Sequence, residues 1–105
     1  MQDWEWEVAD AAQLDEFINV YHDPESSEDE RFTLMEMIIQ SCEDLGDGLS
    51  EDQRWAEVRT LLDEHIDLHI STVWYWSAFD TDLSDAWQVS PFMRDLVEKH
   101  RRRFV

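Results

Sequence analysis

The sequence predicts an all-α fold, a single compact bundle of about four helices spanning residues 1–105, and three observations lead there. Two Gly and two Pro in 105 residues leave little material for the many turns of a β-sandwich or barrel. Apolar residues recur every three or four positions, the period of one helix face. Serine-based start signals precede the later periodic stretches. A hydrophobic content of 43%, with 12% aromatic residues, argues against disorder despite a net charge of -18, because there is enough apolar surface to build a core.

The first helix carries Trp4, Val8, Ala11, Leu14, Ile18 and Tyr21 on one face, with Phe17 beside them. Its start has two readings, because Trp4 to Val8 also alternates like an extended arm and Asp10 with Gln13 offers a later cap. His22-Asp23-Pro24 ends it, since the residue before proline avoids the helical region. Ser27 and Glu30 form a capping box that opens the second helix. That helix buries Phe32, Met35, Ile38, Ile39, Cys42 and Leu45, and Gly46 suits the left-handed position after it.

Ser50 and Gln53 repeat the capping pattern and open the longest periodic stretch, read as one helix from about Glu51 to Phe79. Its stripe is Trp55, Val58, Leu62, Ile66, Val73 and Trp76. A short helical turn with Leu83 and Trp87 follows. Ser90 as cap and Pro91 in the first helical position start the last helix. It carries Phe92, Met93, Leu96, Val97 and His100 and closes on Arg101-Arg102-Arg103, cations placed at the partial negative end of a helix and available to the acidic half as well.

Charge is the second organising feature. The first 52 residues hold seventeen acids and one cation, Arg31, whereas residues 53–105 hold nine acids and seven cations, splitting the charge into about -16 and -2. Such a surface disfavours direct nucleic-acid binding, because phosphates are repelled. The N-terminus has neither a basic start nor an apolar run, unlike a signal peptide. Leu68 to Phe79, the longest uncharged stretch, is far below the ~18 residues of a membrane span. One cysteine, Cys42, permits no internal disulfide. The expectation is a cytoplasmic chain with no membrane partner.

Motifs that would name a chemistry are missing. Gly46 and Gly48 cannot build a phosphate-binding loop, a dinucleotide fingerprint or a nucleophile elbow. The acidic run Asp23 to Glu30 departs from a calcium loop, with Glu28 in the glycine position and Leu34 in place of the bidentate glutamate. His65 and His69 stand one helical turn apart, a spacing that can chelate zinc or iron. Both fall on the inward stripe, yet Leu62 and Ile66 occupy the positions where a di-iron bundle has glutamates. A structural histidine pair is the preferred reading, and no cofactor is expected.

The remaining candidates concern recognition. Trp74-Tyr75-Trp76 sweeps about 200° of helix surface, so not all three rings can face one core. Trp76 belongs inside. Trp74 falls with Asp63 and Asp67, either covered by the N-terminal arm or the Leu83 to Trp87 segment, or exposed as a binding anchor. The candidate partner-binding set is Asp23, Glu25, Glu28, Asp29, Asp63, Asp67 and Trp74.

The expected function is therefore non-enzymatic. It is an acidic protein that binds a basic protein surface, such as the cleft of a nuclease toxin, and small acidic helical immunity proteins share this gross composition. One alternative is a DNA mimic: at one charge per ~1.7 Å of duplex, eighteen net charges match roughly 31 Å of DNA, near the ~33 Å diameter of a chain this long. Another is a metal-dependent bundle enzyme using His65 and His69. A fourth is a scaffold or oligomer subunit whose acidity serves solubility alone.

Overall fold

The first described helix, α1 (Ala11–His22), turns Leu14, Ile18 and Tyr21 inward, as their spacing requires. The computed structural model describes residues 11–104, so the reading of Trp4 to Val8 and the cap at Asp10 fall outside the described residues. Helix α2 (Glu28–Glu43) begins as the sequence predicts. The Ser27 hydroxyl accepts from the Glu30 N–H at 3.1 Å, and the Glu30 carboxylate accepts from the Ser27 N–H at 2.8 Å. Met35, Ile38, Ile39 and Cys42 are fully buried, while Phe32 and Leu45 are only partly so. Gly46 then takes a left-handed φ of 67°, a conformation without a Cβ penalty for glycine alone.

The next start differs from expectation by two residues. Ser50 lies exposed within a 3-10 turn, Gly46–Glu51, and Asp52 caps α3 (Gln53–Glu64), its carboxylate accepting from the Arg54 N–H at 2.8 Å. The Arg54 guanidinium explains the choice. It donates to both oxygens of Asp52, at 3.0 and 2.8 Å, and so fixes that carboxylate in the capping position and holds it below the usual carboxylate range.

The expected continuous helix from Glu51 to Phe79 is interrupted. α3 ends at Glu64, and α4 (Ile70–Ser77) begins after a run of turns at residues 65–69. Asp63, Glu64 and Asp67 crowd the C-terminal end of α3, where a helix is already partially negative. Turn bonds from Leu68 N–H to His65 O and from His69 N–H to Ile66 O, both 3.0 Å, replace the helical ladder. The break still buries Ile66 and His69, so the apolar stripe survives while the axis does not.

The 3-10 turn Leu83–Asp85 matches the expected short turn, and α5 (Ser90–Lys99) follows. Ser90 is its first residue rather than its cap: the Ser90 hydroxyl donates to Trp76 O at 2.7 Å and accepts from the Trp87 N–H at 3.2 Å. The two N–H groups just before this helix are taken by Glu43 of α2, whose carboxylate accepts from Gln88 N–H at 2.9 Å and Val89 N–H at 3.0 Å. An anion at a helix N-terminus is stabilised by the helix dipole as well. A last 3-10 turn, Arg101–Phe104, ends the described chain.

Buried side chains from all five helices form one apolar core. Trp55 of α3 lies at its centre, fully buried and edge-on to Phe92 of α5 at 5.4 Å. Its Nε1 has no hydrogen-bond partner among the described residues. Such an orphan donor costs ~1 to 3 kcal/mol, less than the ~3 to 5 kcal/mol that a buried tryptophan is worth against alanine. Among the described residues there is no strand, and no helix is long and apolar enough to cross a membrane.

Candidate functional site

Two surfaces hold the groups singled out above, and they differ in how their charges are engaged. The corner between α1 and α2 carries Asp23, Glu25, Glu28, Asp29 and Glu30, all exposed. Asp23 builds the turn, its carboxylate accepting from Glu25 N–H at 2.9 Å, and Glu30 closes the capping box. The side chains of Glu25, Glu28 and Asp29 have no hydrogen bond or ion pair among the described residues. Arg31 neutralises none of them by contact, because its guanidinium donates to Tyr21 O and Asp23 O, both at 3.0 Å. Beside these acids, Val20, Leu34 and Met37 line a shallow apolar groove rimmed by Asp29 and Glu30.

Asp63 and Asp67 are placed differently. The Asp63 carboxylate accepts from Lys99 Nζ at 2.6 Å and from His100 Nε2, and these two bonds hold it below the usual carboxylate range. Asp67 pairs with Arg103 at 3.3 Å, and Glu98 pairs with Arg101 at 2.7 Å. Lys99, Arg101 and Arg103 thus meet acids of their own half of the chain. Asp63 and Asp67 are internally matched anions, unlike Glu25, Glu28 and Asp29, although Glu28 lines one hollow of about 420 Å³ with both of them, Arg31 and Arg103.

The two imidazoles do not form an inward pair. The break at residues 65–69 leaves His65 exposed and His69 fully buried, so the one-turn helical spacing that would let them chelate together is lost. His69 Nε2 shares a 2.8 Å hydrogen bond with the Tyr21 hydroxyl, and its Nδ1 has no partner among the described residues. Burial, with the nearby His65 imidazole, pushes His69 down to about 4. Burial likewise pushes the Tyr21 hydroxyl up to about 12, so both groups stay neutral near pH 7. No three His, Cys, Asp or Glu side chains among the described residues are grouped to hold a metal ion. Cys42 is fully buried, and burial raises its thiol to about 12, which makes it a packing residue.

Trp74 is 51% exposed. The Leu83 to Trp87 segment does not lie over it: Trp87 packs instead on Tyr75 at 5.3 Å and Trp76 at 4.6 Å. Trp74 meets Phe79 at 5.0 Å and Phe104 at 6.1 Å. With Tyr75 62% and Phe79 47% exposed, the end of α4 presents three large aromatic rings side by side. They line a hollow of about 690 Å³ with Trp87, Ala78, Asp80 and Thr81.

The sequence reading missed Tyr75, Phe79, Asp80 and Trp87 as members of this site. Its one available signal was the 200° sweep of Trp74-Tyr75-Trp76, which required some of those rings to leave the core. The hollow itself depends on Ala78, which ends α4 with a left-handed φ of 51°. Glycine or asparagine usually signals that conformation, so an alanine there gives no warning. No known family model matches the chain, and neither a curated protein nor a solved structure is similar to it.

Proposed function

We propose that this chain is a non-enzymatic binding protein for a basic protein surface, of the inhibitor or immunity type. The observation that supports this reading is the α1–α2 corner, where Glu25, Glu28 and Asp29 stand exposed without an ion pair among the described residues. Asp63 and Asp52, by contrast, meet cations, and Glu43 accepts from backbone N–H groups. Unmatched carboxylates project a field, raise the rate of encounter with a cationic partner, and lose this advantage as salt screens them. Apolar contacts then set the lifetime of the complex.

The test compares the wild-type chain with the triple variant Glu25→Lys, Glu28→Lys, Asp29→Lys, each immobilised and exposed to lysate of the source organism at low salt. Basic proteins held by the wild type, released by a salt step and lost from the variant are the expected result. Equal recovery of the same proteins by both would remove the reading. Duplex DNA that competes for the recovered partner would favour the nucleic-acid-mimic version over the inhibitor version.

A further inference from the structure

The aromatic hollow at the end of α4 has a chemistry of its own. Its lining offers ring faces from Trp74, Tyr75, Phe79 and Trp87, and among the described residues Asp80 is its one charged side chain. Covering such rings is ordinarily favourable, since each aromatic side chain buries ~150 to 250 Å² when packed. Three adjacent rings at about half exposure are therefore an unfilled contact surface rather than ordinary surface scatter.

The wall is held rigidly. Ala78 turns the chain sharply out of α4, and Arg94 of α5 fixes the turn from behind. Its Nε donates to Ser77 O at 2.7 Å, and its Nη2 donates to Ala78 O at 2.6 Å and Thr81 O at 2.7 Å. The same guanidinium lies 5.0 Å from the Phe79 ring centroid. A left-handed alanine is a strained conformation that persists only where its surroundings enforce it. Here they enforce a loop that aims Phe79 and Asp80 at the hollow.

We propose that this hollow is a binding site for a cationic side chain, an arginine of the basic partner, taken between the Trp74–Phe79 and Tyr75–Trp87 ring pairs with Asp80 as counter-ion. Ring faces are negative and attract cations, tryptophan most strongly. A flat guanidinium can stack on a ring while its N–H fork donates to a carboxylate. The Arg94–Phe79 contact already displays half of that recognition inside the chain. The proposal rests on the reading of this protein as a binder of basic surfaces and adds the place where one residue of the partner is anchored.

The experiment follows the indole N–H resonances of Trp74 and Trp87 by NMR in the full chain. The probe is N-acetylarginine amide at physiological salt, compared with the neutral isostere N-acetylcitrulline amide. Saturable shifts of both indoles with arginine, and binding weakened about tenfold or more for citrulline, are expected from loss of the cation–π and charge-assisted contacts. Asp80→Asn should weaken the arginine probe about fivefold, and Trp74→Leu, an exposed position that keeps the core intact, should weaken it at least as much. Unmoved indoles, equal binding of citrulline, or an unchanged Asp80→Asn variant would each overturn the proposal. The Glu25, Glu28 and Asp29 triple lysine variant should retain the indole shifts. Loss of partner capture in that variant together with unmoved indoles in the wild type would sink this inference alone. Intact shifts with unaltered partner capture would sink the broader reading alone.

Discussion

The acids of the α1–α2 corner and those beside the chain's last residues are engaged in different ways. In the corner, Glu25, Glu28 and Asp29 are exposed with no ion pair among the described residues, and Arg31 is directed at backbone carbonyls. In the α3–α5 half, Asp63, Asp67 and Glu98 each meet a cation from the chain's last residues. The difference shows that a count of acids does not locate a binding surface.

If the two regions share one core, a truncation at its centre should unfold both together. Trp55→Ala removes the largest fully buried side chain and should cost ~3 to 5 kcal/mol. Denaturant unfolding followed by far-UV circular dichroism and by fluorescence should give coincident curves shifted to low denaturant. Two separated transitions would mean that the corner and the second half are independent.

The next effect is a dependence on pH. The His69 imidazole has an ordinary value near 6.5 when unfolded and about 4 when folded. The unfolded chain therefore binds a proton that the folded chain refuses, and stability falls as the pH falls through that window. Between pH 7 and 5 the loss is about 2 kcal/mol. His69→Gln, which can still pair with the Tyr21 hydroxyl, should flatten that slope; an unchanged slope would assign it to other groups.

Neutralising one acid in each region sharpens the contrast directly. Asp63→Asn should cost about 1 kcal/mol, because two charge-assisted bonds from Lys99 and His100 are weakened at a partly exposed site. Glu25→Gln should leave stability within ~0.5 kcal/mol or raise it, as self-repulsion is relieved. Matching losses in both variants, measured by chemical denaturation, would contradict the division of the surface into matched and unmatched acids.

The smallest expected effect is that of salt. Raising ionic strength from low to physiological levels screens the corner's repulsion, and the melting temperature should rise by a few degrees. A flat or falling melting temperature would indicate that matched pairs, which salt weakens, outweigh the unmatched charges.

The elements that the sequence announced were those with local causes. Ser27 and Glu30 are three residues apart and cap α2 wherever the rest of the chain lies. Gly46 adopts the left-handed conformation that its missing Cβ allows. The departures have distant or unmarked causes. The start of α5 depends on Glu43, which belongs to α2, and no window around Ser90 contains that information. The break after Glu64 sets acids at a helix end beside Lys99, His100 and Arg103, a compensation invisible to periodicity because the stripe Leu62, Ile66, Val73 and Trp76 reads straight through it. Of the candidate residues, Glu25, Glu28 and Asp29 stand exposed as an acidic run implies, Trp74 is half-exposed where the pattern left cover and exposure open, and Asp63 and Asp67 are held by cations that only the tertiary fold brings near.

The carboxylate of Glu43 reaches amide groups 45 and 46 residues further along the chain, and this has a consequence for how the molecule assembles. The two residues that lead into the final helix are pinned by a segment made much earlier, so the entry to that helix takes its final place only once that segment has docked. In native-state hydrogen exchange, the amides of Gln88 and Val89 should open together with those of the second helix, and Glu43→Gln should uncouple them.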